Sequence, residues 1–264
     1  MKVAVIQLCS VLDFKVNLKK IDSIIKEAKA KEDVHVFFLP EVFYSMSNGE
    51  SSTPHLVEKH NGHYKNIQHL AESNHVYLLG GTAATKHGDH VINRTYSFDP
   101  EGNEFPHYDK VHLFSIKAIK NKIDEAKVYT PGKTLTNFKF GKHWNIGLSV
   151  CFDIRFPEMY RELYKRGANI FTASSAFTVP TGRAHWETLL RARAIENQSY
   201  VIASAQVGVH NEKISTYGHS MIINPWGEVL ACAKDKEGYI TSEIHIDEVN
   251  KYRSRIDMTS KLRL

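Results

Sequence analysis

Residues 145–158 read NIGLSVCFDIRFPE. An apolar run, Asn145 to Val150, ends at a cysteine and is followed by a stretch that opens a helix at Pro157. The run is too short for a helix and suits a buried strand, while proline is accepted in a helix's first turn. A strand leading through a short turn into a helix is a unit of α/β proteins. The same alternation continues on the C-terminal side. A helix is expected over Pro157–Arg166, a strand over Asn169–Ala173, a helix over Glu187–Asn197 and a strand over Tyr200–Ala205. A hairpin follows, with Ser220–Ile223 and Val229–Ala233 joined by Asn224-Pro225-Trp226-Gly227-Glu228. On the N-terminal side, Thr136–Phe140 reads as the neighbouring strand.

The first half has the same plan. Lys2–Leu8 (KVAVIQL) is a strand, and Asn17–Lys31 carries the helical stripe Leu18, Ile21, Ile24, Ile25 and Ala28. Val34–Leu39 is a buried strand stopped by Pro40, Tyr64–Ser73 a helix and Val76–Gly80 a third strand. A hairpin is expected from Asn93–Asp99, a turn at Pro100–Asn103 and a return over Phe105–Tyr108. Its turn and the later one share the form Asx-Pro-x-Gly, which hints at two similar halves. No Ser/Gly/Pro-rich linker divides the chain, and Asn48–Pro54 reads as a surface loop. A single domain over 1–264 is expected.

Composition narrows the classes. With 42% hydrophobic and 24% charged residues, the 264-residue chain is of ordinary globular type. Its net charge of +5 is mild and dispersed. The densest basic stretch, Lys117, Lys120, Lys122 and Lys127, is interrupted by Asp124 and Glu125. This gives no nucleic-acid stripe. No apolar run reaches the ~18–20 residues of a membrane span, and the opening Met1–Ile6 is no signal peptide. The three cysteines, Cys9, Cys151 and Cys232, are widely spaced and odd in number, which suits a reducing cytoplasm. His60/His63 and His87/His90 lack companions at zinc-site spacing, so no metal and no cofactor is expected.

Four residues invite a chemical reading. Cys151 stands at a strand exit before a helix, a setting that presents a nucleophile, although a free cysteine there is equally well a small buried hydrophobe. Cys9 and Cys232 read as core. Glu41 follows a buried strand at the edge where α/β proteins place catalytic groups. Alone it is a loop acid, and Lys110 and Glu125 alone are surface charges.

Together they carry more. LPE at 39–41, YDKVHLF at 108–114 and CFDIRFPE at 151–158 resemble the nitrilase superfamily of carbon–nitrogen hydrolases, in both order and spacing. The resemblance runs from KVAVIQL at 2–8 to NPWGEV at 224–229. It implies an αββα four-layer sandwich, with two mixed β-sheets flanked by helices, and a catalytic set mapping onto Glu41, Lys110 and Cys151. The family's second glutamate falls on Glu125. It also implies a homodimer or larger, paired across a helical face. Many relatives have Asp at Ser115, Tyr at Phe152 and Pro-Gly in the segment Ile116–Lys122. The tail Lys261-Leu262-Arg263-Leu264 differs from the family's Arg-rich, Tyr-ending one.

The implied chemistry fits the residue types. Cys151 attacks an amide carbonyl once Glu41 takes its proton or a nearby cation lowers its pKa. Lys110 and the Phe152 N–H stabilise the oxyanion, and Glu125 holds Lys110. The stretches 181–206 and 211–229 resemble the branch of deaminated glutathione amidases and omega-amidases. The expected reaction is therefore hydrolysis of a small carboxylate-bearing primary amide, not a peptide bond, to a carboxylate and ammonia. Deaminated glutathione is the first substrate, α-ketoglutaramate the second and a carbamoyl amino acid the third. A catalytically silent scaffold is the alternative from another class. Arg155 is the expected clamp for a substrate carboxylate, or else a salt-bridge partner of Glu158 or Asp153. Phe177 and Thr178 are expected to line the pocket with Phe152. Arg183 and His185 could add charge at its mouth, with His185 and Trp186 equally able to begin the helix at Glu187.

Overall fold

The computed structural model describes residues 1–117, 122–258 and 261. The first half contains β1 (Lys2–Gln7), α1 (Phe14–Glu32), β2 (Val36–Phe38), α2 (Gly62–Asn74), β3 (Tyr77–His87) and β4 (His90–Phe98). A small pair follows, β5 (Ser115–Lys117) and β6 (Lys122–Asp124). The second half contains β7 (Asn137–Phe140), β8 (Trp144–Gly147), α3 (Pro157–Lys165), β9 (Ile170–Thr172), α4 (Val179–Asn197) and β10 (Tyr200–Ala203). Then come β11 (Val207–Val209), β12 (Ser215–Tyr217), β13 (Met221–Ile223), β14 (Val229–Cys232), β15 (Gly238–Glu243) and α5 (Ile246–Arg255).

Two mixed sheets result, in the orders β15-β1-β2-β3-β4 and β14-β13-β10-β9-β8-β7. Each has three parallel strands in its middle, β1–β3 and β8–β10, with antiparallel strands outside them. Alternation along β1 separates the layers. Val3 and Val5 join the cluster shared with the second sheet and with Met159, Leu163, Trp186 and Leu190 of α3 and α4. Ala4 and Ile6 join the cluster capped by Ile21 and Ile25 of α1 and by Ile67 and Leu70 of α2. The architecture is an αββα sandwich. Strands buried on both faces explain why the first strand reads as an unbroken apolar run. No helix among the described residues is long and apolar enough to cross a membrane.

Several expected elements differ. The third strand does not stop at Gly80 but runs to His87, and it turns back at once into β4. The turn at Asp99–Asn103 exists, yet its return pairs only through isolated bridges, Phe98–Glu104 and Arg94–Asp109. The small, polar stretch Gly81–Thr85 hid the strand. Its burial comes from a chain segment outside the sheet: Thr82 receives Phe43 N–H at 3.1 Å, and Val57 bridges Thr85. Helix α4 starts at Val179 rather than Glu187, with Pro180 in its first turn, so His185 and Trp186 lie within it. Strand β15 and helix α5, both largely polar, had no sequence counterpart. Cys9 and Cys232 are partly exposed rather than core. Residues 118–121 of the segment Ile116–Lys122, and the tail apart from Lys261, lie outside the described residues.

Gly81 marks a close approach. A β-carbon there would lie 2.5 Å from Leu39 Cβ and 2.7 Å from Phe43 Cδ1. Gly81→Ala is expected to destabilise the fold by about 1–3 kcal/mol, seen as a lower urea midpoint with an unchanged slope. An unchanged midpoint would contradict the tight β2–β3 approach.

Candidate active site

Glu41 sits three residues beyond β2, in a turn pinned to β3. Val42 N–H donates to Thr82 Oγ1 at 2.8 Å, and Thr82 N–H donates to Pro40 O at 3.2 Å. The turn forces Val42 to φ +47°, an unusual conformation for a β-branched residue. The Glu41 backbone carbonyl accepts from Gln206 Nε2 at 2.8 Å. Its Oε1 accepts from Asn93 Nδ2 at 2.9 Å and from Lys110 Nζ at 2.8 Å.

Lys110 is 1% exposed. Its N–H donates to the Asn93 carbonyl on β4, and its own carbonyl receives Gly132 N–H, each at 2.9 Å. Gly132 is required there, because a β-carbon would lie 2.1 Å from Asp109 O. The ammonium has three donors, and all are used. Besides Glu41, it meets Glu125 Oε1 at 2.9 Å and Oε2 at 2.8 Å. Glu125 opens a 3-10 turn, Glu125–Lys127, and its Oε2 also accepts Phe114 N–H at 2.7 Å.

Cys151 follows the second sheet's strand exit at φ +51° and opens the 3-10 turn Cys151–Arg155. Its N–H donates to Ser174 O at 3.0 Å. Ser174 Oγ lies 3.0 Å from Leu39 O and 2.6 Å from Gly80 O, which ties the thiol-bearing sheet to the one carrying Glu41. Asp153, fully buried, anchors the turn from below. It accepts from Val150 N–H and the Tyr108 hydroxyl on Oδ2, at 2.8 and 2.9 Å. Its Oδ1 lies 2.7 Å from His112 Nδ1. Thus YDKVH at 108–112 and CFD at 151–153 are clamped together, with Lys110 and Cys151 on the clamped segments.

The electrostatics follow from burial. Removal from water disfavours the Lys110 ammonium, but the carboxylates of Glu125 and Glu41 outweigh this and hold its pKa well above the lysine value. Burial, reinforced by Glu41, raises Glu125 against the pull of Lys110. Burial and then the Glu41 charge push the Cys151 thiol far up, and Lys110 and a hydrogen bond from Ala176 only partly oppose them. Both influences favour the thiol over the thiolate. A nearby cation therefore does not activate Cys151 by itself, and selective labelling at neutral pH, the expected mark of an active thiol, requires a base that takes the proton during attack.

Cys151, Glu41, Glu125 and Asn93 line one pocket of about 750 Å³ out to its open mouth. Its walls include Val42, Met46, Phe114, Ile123, Val128 and Ile214, with Tyr129 and Thr178 among the polar groups. Lys110 lies beneath it. Phe152, Arg155 and Phe177 form a separate cluster beside Ala176 and Thr178. The Arg155 guanidinium carbon lies 5.8 Å and 5.5 Å from the Phe152 and Phe177 ring centres. Its Nη2 is 3.3 Å from His185 Nδ1. Asp153, offered as an alternative partner of Arg155, spends its oxygens on Tyr108, His112 and Val150. Sequence reasoning missed Asn93, Gln206, Asp153, Tyr108 and Tyr129. Tyr108 and Asp153 lie inside the quoted motifs, whereas nothing local marked Asn93 or Gln206. Among the described residues no group of three or more His, Cys, Asp or Glu side chains could hold a metal ion.

Comparisons with known proteins point to one family. A family profile described as "Carbon-nitrogen hydrolase" matches residues 2–254. The chain is 35% identical over 259 residues to the deaminated glutathione amidase of Synechocystis, covering 96% of this chain and 94% of that one. It is 32% identical over 250 residues to mouse omega-amidase NIT2, covering 94% and 89%. Against the Drosophila NitFhit fusion protein it is 35% identical over 92% of its own length, and spans about half (53%) of that longer protein. The crystal structure of the C. elegans NitFhit protein superposes with a TM-score of 0.88 at 33% identity, covering 99% of this chain and 65% of that one.

The triple arrangement makes a stability prediction. Lys110→Met removes the cation that opposes the rise of Glu125, so the folded-state pKa of Glu125 climbs further above its unfolded value. Such a carboxyl contributes stability below its unfolded pKa and loses it as pH rises through the folded value. The variant should therefore lose about 3–5 kcal/mol near pH 8 and less near pH 5, measured by urea unfolding at both. A cost that does not shrink on acidification would contradict the shared-charge arrangement.

Proposed function

The chain belongs to the carbon–nitrogen hydrolase family, and from that premise we propose that it is an amidase acting through a Cys151 thioester. One observation carries the reading: a buried thiol shares a pocket with two carboxylates held by one buried ammonium. Cys151 Sγ bonds to the amide carbon as its proton passes to Glu41. Protonation cancels the Glu41 charge and weakens its hold on Lys110, which frees an N–H for the oxyanion beside Phe152 N–H. Glu41 then protonates the departing nitrogen, the C–N bond breaks and a thioester remains. Water attacks the thioester as Glu41 takes its proton, the C–S bond breaks, Glu41 returns that proton to the Cys151 sulfur, and the acid product ionises and leaves as the carboxylate. Glu125 keeps Lys110 in place throughout, and Asn93 orients Glu41.

The first substrate reading is deaminated glutathione, supported by the named Synechocystis relative. The mouse omega-amidase relative supports α-ketoglutaramate as the second. One correction follows from chemistry alone. Glutathione has no primary amide, because its side-chain carboxyl is linked to cysteinylglycine. An amidase acting on the deaminated form releases cysteinylglycine rather than ammonia, and ammonia marks only the omega-amide reaction. Both reactions yield the same keto acid. Arg155, beside the pocket-lining Thr178, is the proposed clamp for the keto-acid carboxylate, with Phe152 and Phe177 supporting its guanidinium. Exposed Ile195, Trp226 and Ile256, near one another on α4 and beside α5, support a homodimer paired on this helical face.

Keto-acid release from both substrates tests the proposal. Cys151→Ala is expected to lower kcat/KM at least ~10³-fold with an unchanged melting temperature, and Glu41→Gln to lower kcat by about 10²–10⁴-fold. Appreciable turnover by Cys151→Ala overturns the covalent route. Release of cysteinylglycine or of ammonia separates the two substrates.

A further inference from the structure

Two loops meet over the pocket. The segment 45–53 follows the Glu41 turn, and the β11–β12 hairpin reaches across to it. Asn211 Nδ2 donates to Ser47 O at 3.2 Å, and Ile214 Cδ1 lies 3.5 Å from where a β-carbon on Gly49 would be. Gly49 and Ile214 both line the pocket, and Glu50 and Lys213 are their chain neighbours, which we take as the pocket's rim. There Lys213 Nζ meets Glu50 Oε1 at 2.7 Å. Val128 lines a third side of the pocket, and Lys127 precedes it. Glu50 feels both ammoniums, that of Lys213 foremost and that of Lys127 after it. The rim thus carries two cations and one carboxylate.

The Lys213 and Glu50 side chains are 52% and 67% exposed. An ion pair this wet contributes little stability, so an incoming carboxylate can displace Glu50 without disrupting the fold. Among the described lining residues there is no cation, and Lys110 below has committed every N–H. Arg155 stands apart, beside Thr178. A substrate with carboxylates at both ends therefore finds one cation in Arg155 and another at the rim.

We propose that Lys213, assisted by Lys127, binds the carboxylate on the leaving-group side of the substrate, and that Glu50 holds its place in the free protein. The proposal rests on the amidase reading above. It selects a long amide whose departing amine carries a carboxylate over a short omega-amide whose leaving group is ammonia.

The test compares kcat/KM for deaminated glutathione, its C-terminal glycinamide and α-ketoglutaramate. The wild-type protein should favour deaminated glutathione over its glycinamide by ~3- to 5-fold, mainly through KM, as expected for an exposed ion pair. Lys213→Gln, alone and combined with Lys127→Gln, should erase that preference, Lys213→Arg should keep it and Glu50→Gln should enlarge it. Turnover of α-ketoglutaramate should not move in any of these variants. Equal losses on all three substrates, or no loss on any, in Lys213→Gln overturn the rim assignment while leaving the amidase reading intact. No hydrolysis of any of them by the wild-type protein overturns the amidase reading and the rim assignment with it.

Discussion

A lysine ammonium without exposed surface, shared between two carboxylates, is the constraint on which the site depends. A buried charge costs several kcal/mol unless it is paired and hydrogen-bonded. Here the lysine and its two partners come from three separate places: the segment after β4 for Lys110, the turn after β2 for Glu41 and the 3-10 turn for Glu125. A misplacement of any one leaves a charge unpaired in a dry setting. The geometry is therefore held by the energetic cost of its alternatives rather than by the strength of any single bond. The same arrangement acts on its neighbours, because burial and then the Glu41 charge that stabilises Lys110 both raise the pKa of the Cys151 thiol.

Two strained backbone positions, Val42 and Cys151, flank this charge. Each is imposed by tertiary bonds, to Thr82 in one case and to Ser174 in the other. Residues held at positive φ without glycine cost of order 1–3 kcal/mol and persist where surrounding contacts over-determine them. Asp153 supplies much of that support. By joining Tyr108 and His112 to the cysteine turn, it converts two distant sequence segments into one rigid wall. Glu41 and Cys151 thus sit in turns just beyond strands fixed by sheet pairing, while the mouth is built from loops that touch through a few polar contacts.

Much of the fold was legible because its inner strands are buried on both faces. KVAVIQL, VHVFFL and NIGLSV declare themselves by composition alone, and the turn at Asn224–Gly227 by its chemistry. Legibility failed where burial was conferred from outside the sheet. Gly81–Thr85 looks like a polar loop, yet the chain beyond Glu41 covers it and makes it a strand. Helix α4 was read short because a proline and a glycine near its start resemble a break, although proline is compatible with a first turn. The polar edge strand β15 and helix α5 lack an apolar period strong enough to be seen.

Glu41, Lys110 and Cys151 were legible through three short motifs taken together, and Glu125 through the family resemblance that those motifs carry. Their meeting was not, because 110 residues of chain separate the first from the last. Asn93 and Gln206 carry no local mark, for their roles exist only once β4 and the segment after β10 are brought against Glu41. The protonation of the thiol is likewise a property of the folded site: it depends on burial and on a carboxylate across the sheet interface. The sequence by itself determined the alternating α/β plan, because alternation is local, and its three motifs together determined the family and the candidate side chains. Only the tertiary structure decided which charges share a partner and which backbone is strained, because those depend on distances between segments remote in the chain.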